Sequence, residues 1–183
     1  MNAYVDDILR RSDVYHAELD VIIGSFSTVD TDLNSYSTQS TQIKQALGPY
    51  KANMADAMMR GSSWQPPAEA KNWGKVFQGY IDQISSLENQ VKAANTSYQG
   101  ILRTADAAFG RASEVHGPIP TYENHGLEEL SANARKELTD KYRVRQKLLS
   151  DRKETIEGKV DRLLRELSLV KHEIQGLKDW LKV

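Results

Sequence analysis

Three segments of this chain repeat apolar side chains every three and four residues over many turns, and little else in the sequence constrains its fold so tightly. The first places Val5, Ile8, Tyr15, Leu19, Ile22, Phe26, Val29, Leu33, Tyr36, Ile43, Leu47, Tyr50 and Met54 on one register, interrupted by Ser12 and Ser40. The second is unbroken through Trp73, Phe77, Tyr80, Ile84, Leu87, Val91, Ala94, Tyr98, Ile101, Ala105 and Ala108. The third runs Leu149, Ile156, Val160, Leu163, Leu167, Val170, Ile174, Leu177 and Leu181, with Lys153 its one polar member. A helix turns once per 3.6 residues, so such spacing gathers the apolar groups on one face; a strand would need alternation by two. No segment alternates in that way. The expectation is an all-α chain.

Glycine and proline set the boundaries. Gly61-Ser62-Ser63-Trp64-Gln65-Pro66-Pro67 and the stretch from Gly117-Pro118-Ile119-Pro120 to Asn124-His125-Gly126 read as loops, because proline removes an amide donor and restricts the residue before it. Gly48-Pro49 predicts a kink or a one-turn break inside the first register. The expected helices span about 4–47, 50–60 and 70–112, all within a hairpin over 1–115. A loop over 116–126 and a C-terminal coiled-coil helix over 127–183 follow. At 1.5 Å per residue, the first and third of these helices are each roughly 65 Å long. Equal lengths and a short connection make an elongated antiparallel hairpin the economical packing.

The first helix is unusual in its polar face. Ser25 to Gln42 is mostly Ser, Thr, Asn, Gln and Asp around the apolar stripe, and these residues compete for backbone hydrogen bonds. Such a helix depends on its neighbours for stability, the alternative being a partly disordered polar segment. Net charge is −1, which draws the chain toward neither nucleic acid nor an anionic membrane. The charges are uneven, however: residues 127–183 hold 14 basic and 11 acidic side chains, about half of the total. The longest apolar run of the first helix, Val21-Ile22-Ile23, falls far short of the ~20 residues that cross a bilayer. The acidic start, Met1 to Asp7, lacks the features of a cleaved signal. The expectation is a soluble protein, cytoplasmic or exported by a leaderless route.

Residues that carry chemistry are sparse. The chain has no cysteine, and none of its four histidines (His16, His116, His125 and His172) stands three or four residues from another. The usual zinc spacings are therefore missing. His116 and His125 share the second loop with Glu114 and Glu123, where solvated histidines are the ordinary reading and a metal site the alternative. No glycine-rich phosphate loop or nucleophile elbow occurs. Asp151, Glu154, Glu157, Asp161 and Glu166 alternate with bases, as on a solvated helix face. Lys141, Arg143, Arg145 and Lys147 are spread around the helix rather than gathered on one side, which an electrostatic footprint for nucleic acid would need. No cofactor, metal or enzymatic activity is expected.

The C-terminal helix carries the strongest interaction signal. Val160, Leu167, Ile174 and Leu181 take a positions of a heptad, and Ile156, Leu163, Val170 and Leu177 take d. In a parallel two-stranded coil, Arg152 would face Glu157, Glu166 would face Lys171, and Glu173 would face Lys178, all of opposite sign. Leu149 extends the apolar seam. Leu164 at an e position widens it, favouring more than two helices around it. The stripe serves either association with a second chain or internal packing in a three-helix bundle.

The connection and second register resemble the WXG100 (ESAT-6-like) helical-hairpin proteins. These pair two long antiparallel helices around a turn bearing Trp-x-Gly, and Gly61-Ser62-Ser63-Trp64-Gln65-Pro66-Pro67-Ala68 occupies the equivalent place here. Pro66 stands where the family has its glycine, and the C-terminal helix has no counterpart there. The turn residues Trp64, Pro66, Pro67 and Trp73 are candidate site positions, with Trp73 expected in the seam and Trp64 at the tip. The resemblance implies a type VII secretion system protein, exported or acting as co-secreted partner of a toxin. The registers by themselves point to a non-enzymatic structural or adaptor subunit, a homo-oligomer or a member of a hetero-oligomeric helical assembly.

Overall fold

The structure is a computed structural model that describes residues 3–116 and 132–182. Four α-helices occur among them: α1 (Ala3–Ala46), α2 (Gly48–Arg60), α3 (Trp73–His116) and α4 (Ala132–Trp180). Two 3-10 turns, Gly61–Ser63 and Ala68–Asn72, join α2 to α3. No strand is found among the described residues. The second loop through His125, Glu123 and residues 127–131 lies outside the described residues, as do the side chains of Val5, Ile8, Glu114 and His116.

The break at Gly48-Pro49 is confined to a single residue. Leu47 keeps right-handed helical angles (φ −77°, ψ −15°), and its N–H donates to Ile43 O at 3.2 Å. Lys51 N–H then donates to Leu47 O at 3.0 Å, so Pro49 sits in the first turn of a new helix, where its missing amide costs little. That is why the register passes through unbroken. At the other end of α2, Gly61 closes the helix with φ +55°, a conformation that a side chain would strain, and its N–H donates to Ala57 O.

The chain divides into two compact units. One comprises Met1–Asp30 and Thr96–Glu157, the other Thr31–Asn95 and Gly158–Val183. In the first unit α1 runs antiparallel to α3: Glu18 pairs with Arg111, and the Phe26 and Tyr98 rings lie 5.9 Å apart. α4 runs parallel to α1 and antiparallel to α3, with Arg145 on Asp20 at 2.8 Å and the Phe109 and Tyr142 rings edge to face at 5.3 Å. Leu19, Ile22, Phe26, Tyr98, Ala105, Ala108, Leu138, Tyr142 and Ile156 form its interior. Ser12, which interrupts the apolar register, is wholly buried there.

The second unit repeats this arrangement with different residues. Its interior holds Leu33 and Ile43 of α1, Leu47 at the break, Phe77, Ile84, Leu87 and Val91 of α3, and Val160, Leu163, Leu167, Val170, Ile174 and Leu177 of α4. Ser40 is buried as well. Lys159 on Asn34 of α1 (3.0 Å), Glu173 on Lys51 of α2 (2.5 Å) and Lys171 on Glu88 of α3 (3.3 Å) tie α4 to each of the other helices here. Three-helix packing of this kind buries one stripe of each helix and leaves the opposite face to solvent.

Candidate functional site

The α4 stripe lies inside its own chain. Ile156, Val160, Leu163, Leu167, Val170, Ile174 and Leu177 are each 5% exposed or less, while Leu149 and Leu181, at its ends, are half-buried. Lys153, the polar member of the register, is exposed. At about 25 cal/mol per Å² of apolar area, burying such a side chain contributes roughly 1.5–3 kcal/mol, so the stripe is a principal source of cohesion in the second unit, which holds all of the buried members but Ile156.

The charges flanking the stripe are engaged within the chain too. Glu157 accepts a hydrogen bond from the Tyr98 hydroxyl at 2.7 Å. Burial and that neighbouring carboxylate push the phenol well above its ordinary pKa. Lys171 pairs with Glu88, Glu173 with Lys51, and Lys178 Nζ donates to Gln78 Oε1 at 2.5 Å. Arg152 and Glu166 are exposed. These pairs lie at the surface, where each contributes a few tenths of a kcal/mol to about 1 kcal/mol.

The turn residues gather around a tryptophan cluster in the second unit. Trp73 is buried, with the half-buried Tyr50 edge-on to it at 5.3 Å and to Phe77 at 5.0 Å. Trp180, on the last turn of α4, stacks obliquely on Trp64 (5.6 Å) and Trp73 (6.3 Å). Trp64 is therefore half-buried against α4, Pro67 is half-buried, and Pro66 is exposed. The part of Trp180 is not visible from the sequence, because its position is one residue short of the apolar register at Leu181.

Two further features escaped the sequence reading. His16 is 4% exposed, and neither ring nitrogen has a hydrogen-bond partner. Burial, with Arg145 and then Lys141 nearby, lowers its pKa to about 4 against the opposing charges of Asp13 and Asp20. Arg145, a member of the basic run, is spent on α1: it donates to His16 O at 3.3 Å, pairs with Asp20, and also donates to Lys141 O at 2.9 Å. Lys141 in turn pairs with Glu137 at 3.0 Å. The burial of Tyr142 was legible in principle, since it stands seven residues before Leu149 on the d register.

Of the α4 carboxylates, Asp151, Glu154, Asp161 and Glu166 are exposed. Among the described residues no group of three His, Asp or Glu side chains is arranged to hold a metal ion, and no helix is long and apolar enough to cross a membrane. A groove of about 360 Å³ opens between α1 and α3 in the second unit. Gln39, Gln42, Ile43 and Ala46 line it from one side, and Tyr80, Gln83, Ser86, Leu87 and Gln90 from the other. None is charged. No protein-family model, curated protein or solved structure matches this chain.

Proposed function

We propose that this protein is a non-enzymatic structural or adaptor subunit that assembles with itself or with partner proteins through the outer faces of its long helices. The observation that carries this reading is the pairing of its exposed apolar side chains. Single exposed apolar residues are common on any surface. Here six of the large ones fall into three pairs: Val14 and Val21, Val144 and Leu148, Met58 and Met59. Val14 and Val21 stand one heptad apart, and Val144 and Leu148 one turn apart, so each of these two pairs shares a helix face. Val21 is 75% exposed and Met59 80%. Apolar groups gathered on one face are what a helix or groove of another chain covers.

The test is the mass of the protein as purified from its native source. A complex larger than the 20.6 kDa chain is expected, reduced in Val21→Asp and Leu148→Asp variants whose helicity and melting temperature are unchanged. A native preparation that sediments as a lone monomer overturns the reading.

A second reading, a WXG100-like protein of a type VII secretion system, is supported by the antiparallel course of α1 and α3 and by Trp64 in the connection between them. It requires that the protein reach the culture medium in cells that hold the secretion ATPase and stay inside cells that lack it. Equal retention in both discards it.

A further inference from the structure

We propose that the outer sides of α1 and α4 in the first unit form a self-complementary surface that docks a second copy of this chain. The inference rests on the reading that the protein assembles, and it names the surface and the occupant. On α1, Val14, Ala17, Val21 and Gly24 stand at spacings of three and four, all exposed. On α4, Val144 is 56% exposed and Leu148 42%, one turn apart. Neither group is covered by its own chain, and removing such side chains from water favours association.

Charge selects the occupant. Residues 6–20 of α1 hold five acids and two bases, net −3, whereas residues 136–152 of α4 hold six bases and three acids, net +3. Asp6 and Asp13 in the first strip, Lys147 and Arg152 in the second, are exposed and form no ion pair among the described residues. A two-fold contact requires each group to find its complement on the same patch of the partner. Here the two strips are opposite in sign, equal in size and adjacent, since Asp20 of one is paired with Arg145 of the other at 2.8 Å. A second copy carries the required pattern by construction, while two α1 strips or two α4 strips set face to face would repel.

The levels of the apolar groups match as well. The Asp20–Arg145 pair sets position 20 of α1 beside position 145 of α4, and the two helices run parallel. Val21 therefore stands level with Gln146, midway between Val144 and Leu148. A two-fold axis along the helices keeps every level. It brings Val21 of each copy between Val144 and Leu148 of the other, a knob entering a hole, and lays acidic strip on basic strip twice.

The absence of cysteine makes the test clean. Full-length Val21→Cys and Leu148→Cys chains, mixed and mildly oxidised, should yield a disulfide-linked species of twice the 20.6 kDa chain mass. Each variant alone should yield far less, because the two-fold joins unlike positions. Asp6→Lys with Asp13→Lys turns the α1 strip to net +1, and Lys147→Glu with Arg152→Glu turns the α4 strip to net −1. Each double variant should lose at least tenfold in self-association by sedimentation equilibrium, at unchanged helicity. Mixing the two should restore it, since one chain is then basic on both strips and the other acidic on both. A wild-type chain that stays monomeric at every concentration overturns this inference but leaves assembly with other proteins standing. A wild-type dimer indifferent to both charge reversals overturns it too, while supporting self-assembly through another face. So does a loss that mixing fails to repair, or single-cysteine chains that link to themselves as readily as to each other. Monomers with no partner in the native preparation defeat both readings.

Discussion

The Tyr98 hydroxyl of α3 donates to the Glu157 carboxylate of α4 at 2.7 Å, from a ring that is wholly buried. A helix pair held by apolar contacts alone can slide; a single hydrogen bond to a charged acceptor fixes which turn meets which. The same ring lies 5.9 Å from Phe26, so one residue ties all three helices of the first unit together.

Tyr98→Phe keeps the ring and removes the bond. A hydrogen bond to a charged partner is worth about 1.5–3 kcal/mol, and the half-exposed position of Glu157 favours the lower end. Urea unfolding should show a loss of about 1–2 kcal/mol, against about 3–5 kcal/mol for Tyr98→Ala, which also empties the ring's site. An unchanged unfolding free energy in Tyr98→Phe would show that the hydroxyl contributes nothing.

His16 should make the protein sensitive to mild acid. Its folded pKa, about 4, lies below the ordinary 6.5, so the unfolded chain takes up the proton first. The stability this site contributes is whole above pH 6.5 and is lost as pH falls toward 4, by up to about 3 kcal/mol. His16→Leu should flatten the fall in unfolding free energy between pH 7 and 4.5. An unchanged slope would mean that other groups account for acid sensitivity.

The tryptophan cluster should be unequal in its parts. Trp73→Ala removes a buried ring and should cost about 3–5 kcal/mol. Trp64→Ala, at a half-buried position, should cost less. A double-mutant cycle between Trp64 and Trp180 should return a coupling of about 0.5–1.5 kcal/mol. No measurable coupling would dissolve the pair.

Aspartate at both Leu163 and Val170 tests what the α4 stripe does in solution. Both side chains are 3% exposed in the second unit, and unpaired charge there is strongly unfavourable. Circular dichroism should record loss of helix and a lower melting temperature even in dilute samples. Intact helix with nothing but a fall in mass would show that the stripe holds chains together instead.

The sequence alone determined the helices and their interruptions. Period and break are local properties: the three-and-four spacing from Trp73 to Ala108 can gather apolar groups only on a helix, and Pro49 can be tolerated only in a first turn. It also marked the buried face of each helix, Leu163 and Phe77 among them. What each face meets was left to the tertiary structure, because an apolar stripe is equally complementary to a helix of its own chain and to one of another. Glu157, Lys171 and Glu173 show the same ambiguity. Their signs suit a parallel partner, yet they are engaged by Tyr98, Glu88 and Lys51, far away in sequence. Trp180 and His16 belong to this second class as well. One is an aromatic just off the register, the other a polar residue one position past Tyr15, and only the packing of three helices placed the first against Trp64 and sealed the second from water.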